Sequence, residues 1–92
     1  MAIPEFADEA SADLESIVDF IAKNSLLKAE SMLQRILETC QMLAENPGFG
    51  EVRDGFGVPG CRSYTVSRYF VFFRPSELGV ETARIIDGSR DL

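Results

Sequence analysis

The stretch that decides the fold is RSYTVSRYFVFFR, Arg62 to Arg74. Two runs rich in β-branched and aromatic residues, Arg62–Val66 and Tyr69–Arg74, flank the pair Ser67-Arg68, and this spacing predicts a tight β-hairpin. Ser-Arg is not one of the favoured primed-turn pairs, so the turn type stays open. In the second run, alternation puts Tyr69, Val71 and Phe73 on one face and Phe70, Phe72 and Arg74 on the other. Both faces are aromatic. Whatever precedes the hairpin can shield one of them, which leaves the second for loops, a second copy or a partner.

Reading outward toward the C-terminus, Pro75–Gly79 is a turn and Val80–Asp87 a third strand, ended by Gly88. Toward the N-terminus, NPGFGEVRDGFGVPG (46–60) holds five of the chain's seven glycines and reads as a connection with a short strand near Val52–Arg53. Its GxG pairs lack the lysine and strand-turn-helix context of a phosphate loop. Before it, Ala29, Met32, Leu33, Ile36, Leu37, Cys40 and Leu43 recur at helical spacing, stopped by Asn46-Pro47. Ala10, Leu14, Ile17, Val18 and Ile21 mark an earlier helix with Asp8 as its expected N-cap. Asn24 and Ser25 separate the two, which makes an antiparallel helical hairpin. AIPEFA (2–7) is a strand, held to a sheet edge by Pro4. The expected fold is therefore α+β in two layers: an N-terminal edge strand, a helical hairpin, then an antiparallel meander.

The 92 residues suffice for one domain, 1–92. No stretch approaches the roughly 18 apolar residues of a membrane span. MAIPEFADEA has neither a basic region nor an apolar core, so no signal peptide is expected and the chain should stay in the cytoplasm. Cys40 and Cys61 fit no disulfide framework and read as buried thiols. Histidine is absent, which removes His-based acid–base and nucleophilic chemistry, and the acids form no metal motif. Neither a metal nor a cofactor is expected.

The net charge of -6 is concentrated at the start, where Glu5, Asp8, Glu9, Asp13, Glu15 and Asp19 meet no lysine or arginine. Asp13, Glu15 and Asp19 should form a solvated helix face. After Lys28 every base is arginine. Overall acidity argues against non-specific nucleic-acid binding, while arginine alone leaves room for a local patch of planar recognition.

Four segments in order, ADLESIVDFIA (12–22), LAENPGFG (43–50), GCRSYTVSRYFVFFRP (60–75) and ARIIDGSRDL (83–92), resemble the RelE/ParE toxin superfamily, closer to the ParE branch. The resemblance implies a toxin of a bacterial type II toxin–antitoxin module. ParE-like toxins inhibit DNA gyrase by protein–protein binding, without enzymatic activity, and are neutralised by a cognate antitoxin. RelE-like relatives cut mRNA in the ribosome with a cluster of lysines and arginines and a C-terminal tyrosine. Here only Arg62 and Arg84 match basic positions of that cluster, so the endoribonuclease is the alternative reading, beside a non-toxic, complex-forming relative. Two positions depart from the ParE pattern: Asp87 stands where histidine is frequent, and Ser67 where glycine is common. The C-terminal region matters for toxicity in such proteins, and many relatives run several residues past the position of Leu92.

The resemblance and the arginine pattern mark Arg62, Arg84 and Arg90 as target-binding candidates. Tyr64, Phe70, Phe72 and Arg74 are antitoxin-binding candidates. The expected partners are a cognate antitoxin and gyrase or a related topoisomerase, with neither a membrane nor sequence-specific nucleic acid. Whether the chain forms a dimer or a hetero-oligomer with antitoxin is left open.

Overall fold

A computed structural model describes residues 3–53 and 60–88. The elements run β1 (Ile3–Phe6), α1 (Asp8–Ala22), α2 (Leu26–Glu45), β2 (Glu51–Val52), β3 (Arg62–Val66), β4 (Tyr69–Ser76) and β5 (Gly79–Asp87). The strands form one sheet in the order β1-β5-β4-β3-β2. β1 lies at its edge, parallel to β5, and every other pairing is antiparallel. Pro4 is tolerated there because an edge strand needs only one row of ladder bonds.

The cap of α1 lies one residue earlier than expected. Asp8 is the first helical residue and Ala7 the N-cap, with no side-chain bond. The reason is that Ala7 still belongs to the sheet: its N–H donates to the Thr82 carbonyl at 2.9 Å. Asp8 and Glu9 instead favour the first turn through the helix dipole. Ser25 caps α2 as expected, its hydroxyl accepting from the Lys28 N–H at 3.1 Å.

The core lies between the helices and one sheet face. Ile36, Cys40 and Leu43 of α2 pack with Val66, Tyr69, Val71, Phe73, Val80 and Ile85, while Leu14 and Ile17 of α1 are partly buried against them. Burying Phe73 alone is worth roughly 1.5–3 kcal/mol. β4 outlasts its expected end at Arg74 and runs to Ser76. Pro75 fits because β3 stops opposite Phe73, so no β3 ladder bond is lost. β5 contains a bulge: Phe72 faces Arg84 and Phe73 faces Thr82, which leaves Ala83 unmatched. Thr82 and Ile85, three residues apart, are both buried as a result.

The 67–68 turn carries Ser67 at φ 56°, while Arg68 has the ordinary negative φ. That sign pattern belongs to a type II′ turn, which favours glycine at its first central position. At the other end of β3, Gly50 (φ 87°) brings β2 alongside, and a Cβ there would lie 2.6 Å from the Ser63 carbonyl oxygen. Only glycine fits that approach.

Candidate functional site

The second sheet face is closed by means other than a helix. Phe72 is 5% exposed and Phe70 half-buried, their rings tilted at 6.2 Å between centroids. The Arg53 guanidinium lies over the Phe70 ring at 5.7 Å, and its Nε donates to the Ser63 hydroxyl at 2.7 Å. Gly88 also lies against Phe70: a Cβ there would meet Cε2 at 2.7 Å. Arg74 pairs with Glu81, its Nε donating at 2.7 Å, and the Ser76 hydroxyl donates to Glu5 at 2.5 Å. Of the covers left open for this face, neighbouring residues of the chain itself already shield Phe72. The intrastrand alternation holds, but Phe72 is already out of water.

Nor do the four antitoxin-binding candidates form one patch. Phe70, Phe72 and Arg74 share the second face. Tyr64 sits opposite Val71 on the helix-covered face and packs against the core.

The target-binding candidates are also dispersed. Arg62 lies opposite Phe73 on β3, with β4 between it and β5. Arg84 on β5 is held by α1: its Nε and Nη2 donate to the two Asp13 oxygens at 2.7 and 3.0 Å. That hydrogen bond first, and the Asp13 charge second, raise the guanidinium's affinity for its proton. Arg90 lies outside the described residues.

Asp13 is the residue that sequence reasoning missed. Its Oδ2 also accepts from the Ile85 N–H at 2.9 Å, so one carboxylate both fixes Arg84 and covers an unpaired edge amide of β5. The expected solvated position is corrected: the Asp13 side chain is 18% exposed. Helical periodicity carries no such signal, because Asp13 simply precedes Leu14 at the margin of the apolar stripe. Arg53 was missed too, since nothing local links it to Phe70.

Around this clasp runs a groove of about 550 Å³ between α1 and β5, with Ile17, Phe20, Tyr69 and Ile85 along it and a balanced set of charges, Asp13, Asp19 and Asp87 against Lys23, Arg68 and Arg84. Arg68 and Asp87 pair across it at 2.6 Å, so the aspartate found where histidine is frequent ties the hairpin end to β5. Neither thiol is primed for reaction. Burial pushes the Cys40 pKa up, partly offset by the Thr82 hydroxyl. Burial likewise raises that of Cys61 against the opposing pull of Arg74 and Arg53. Among the described residues no histidine, cysteine and carboxylate cluster could hold a metal, and no helix is long and apolar enough to cross a membrane.

Residues 5–92 match the family described as ParE toxin of type II toxin-antitoxin system, parDE. Among solved structures, the chain is similar to one described as the chromosomal ParDE TA system from P. aeruginosa, at 27% identity and a TM-score of 0.75. That match covers 95% of this chain and 96% of the other. No curated protein matches.

Proposed function

This chain belongs to the ParE toxin family of type II toxin–antitoxin systems, and we propose that it inhibits DNA gyrase or a related topoisomerase by protein–protein binding and is neutralised by a cognate antitoxin. The observation that carries the proposal is the state of the arginines. Arg53, Arg68, Arg74 and Arg84 each meet a carboxylate of the chain itself. Ribosomal mRNA cleavage calls for free cations around the scissile phosphate and for an acid and a base. The chain has no histidine, and among the described residues the second face of the sheet carries no unpaired cationic cluster. Its acidic balance is equally adverse to a polyanion.

Arg84 is the candidate that best suits target binding. It is planar, half-exposed and held in one orientation by two hydrogen bonds, which lowers the entropy lost when it forks onto an acceptor. The antitoxin candidates Phe70, Phe72 and Arg74 remain part of the proposal as a surface that a partner covers further, with Tyr64 reached from the other side of the sheet. Expression of the chain alone should arrest growth, and co-expression of its neighbouring antitoxin should restore it. Arg84→Ala should weaken the arrest while costing only about 0–1 kcal/mol of stability, as expected for an exposed ion pair. Normal growth at verified soluble expression of the unaltered chain would overturn the toxin reading. Full toxicity of Arg84→Ala would remove that residue from the site.

A further inference from the structure

The Asp13–Arg84 pair joins elements from opposite sides of the sheet. Antiparallel register sets Arg84 opposite Phe72, and directly opposed residues share a face. Arg84 therefore leaves β5 on the second face, the one closed by Arg53 and the neighbouring ion pairs. Asp13 belongs to α1, whose Leu14 and Ile17 pack against the core on the first face. To meet it, the Arg84 side chain turns around the β5 edge. It can do so because β1 pairs with β5 only from Gly79 to Thr82, with Ala7 adding the last bond to the Thr82 carbonyl. Beyond Thr82 no strand among the described residues flanks that edge.

Hydrogen bonds fix this course. Both Asp13 oxygens accept from the guanidinium, at 2.7 and 3.0 Å, and Oδ2 also accepts from the Ile85 N–H at 2.9 Å. The bond to Ile85 pins the carboxylate to the strand, so it holds Arg84 from a fixed point. The nearby carboxylates of the sheet are committed elsewhere: Glu81 pairs with Arg74 and Asp87 with Arg68. Glu9, one turn earlier on α1, adds only a weaker attraction. The held guanidinium lines the α1–β5 groove with Tyr69 and Ile85, yet half of the side chain stays exposed. A guanidinium has five N–H donors, so two on Asp13 leave three for another acceptor.

We propose that Asp13 is a positioning residue for target binding: it draws the Arg84 guanidinium off the aromatic face, around the β5 edge, and presents its remaining N–H groups at the α1–β5 groove. This role rests on the proposed binding of Arg84 to a topoisomerase. It places the contact at the edge of the sheet, where the fork can meet a carboxylate or a main-chain carbonyl of the target. Without Asp13, the flexible stem of Arg84 is free to fall back across Phe72, and binding must first order it. Asp13 itself offers a target little surface, since its side chain is 18% exposed. Its influence passes through Arg84.

Asp13→Asn separates positioning from architecture. The asparagine oxygen can still accept from the Ile85 N–H, but a neutral amide with one oxygen cannot take the guanidinium fork. The thermal midpoint should therefore fall by no more than about 5 °C. The concentration of chain that half-inhibits gyrase supercoiling should rise roughly three- to tenfold, the ordering cost of one long side chain. Arg84→Ala should weaken inhibition at least as much, and adding Asp13→Asn to it should change nothing further. Independently of any target, the Arg84 Nε–H should give the heteronuclear NOE of a rigid group in the unaltered chain and of a mobile one in Asp13→Asn. Unchanged inhibition by Asp13→Asn where Arg84→Ala weakens it, a further loss in the double variant, or a mobile Arg84 Nε in the unaltered chain would each overturn the positioning role alone. An unaltered chain that leaves supercoiling intact would overturn the topoisomerase reading, and full potency of Arg84→Ala would overturn the placement of Arg84; either result takes the role of Asp13 down with it.

Discussion

The two faces of one sheet are closed by different physics. Under the helices, Tyr69, Val71, Phe73 and Ile85 meet aliphatic side chains and are excluded from water by close packing. On the other face, Phe72 and Phe70 are closed by a guanidinium, a glycine and ion pairs drawn from neighbouring strands. The first solution stabilises through buried area. The second shields two rings with polar groups that keep their own hydration at the surface, as long charged side chains do. An aromatic strand face is therefore no guarantee of an empty docking surface. Its neighbours in the sheet decide.

The largest expected effect separates the faces at adjacent residues. Phe73→Ala should cost about 4–5 kcal/mol, because helices and strand hold the cavity open. Phe72→Ala should cost nearer ~3 kcal/mol, since the polar cover can settle inward. Equilibrium denaturation of both variants checks the order, and an equal or inverted cost would break the contrast. Smaller is the effect of removing the lid. Arg53→Ala should lose about 1–2 kcal/mol through the Ser63 hydrogen bond and the stacking on Phe70. It should also increase binding of a hydrophobic dye, and unchanged dye binding would show that Arg53 does not shield the ring. Smallest is a gain. Ser67→Gly should stabilise the hairpin by about 0.5–1 kcal/mol, the relief of a positive φ less the extra freedom of the unfolded glycine. Hydrogen exchange at Val66 and Tyr69 reads this directly, and faster exchange would contradict it.

Most of the architecture was legible because it rests on short-range signals. Apolar spacing marked both helices, Pro4 marked the edge, and Ser67-Arg68 separated two strand-like runs. The features that escaped are all long-range. The bulge at Ala83 shows only in the register of β5 against β4, not in any local motif. Ala7 replaced Asp8 as the cap because its N–H was already committed to Thr82. Tyr64 was grouped with Phe70 and Phe72 although cross-strand register puts it on the opposite face. The site was less legible than the fold for the same reason. Arg84 stood out as an arginine on the last strand, but its carboxylate partner lies 71 residues away and on a helix face that looked merely solvated. Arg62 and Arg84 both lie on the sheet, yet no pattern along the chain shows that Arg84 is paired while Arg62 has no carboxylate partner among the described residues.

The central claim concerns what this surface acts on, and gyrase activity tests it directly. Purified chain, added to gyrase with relaxed plasmid and ATP, is predicted to suppress supercoiling in proportion to its concentration and to leave linear DNA after denaturation of the trapped enzyme. Undiminished supercoiling, together with codon-specific cuts in ribosome-bound mRNA, would contradict the account and assign the sheet to an endoribonuclease.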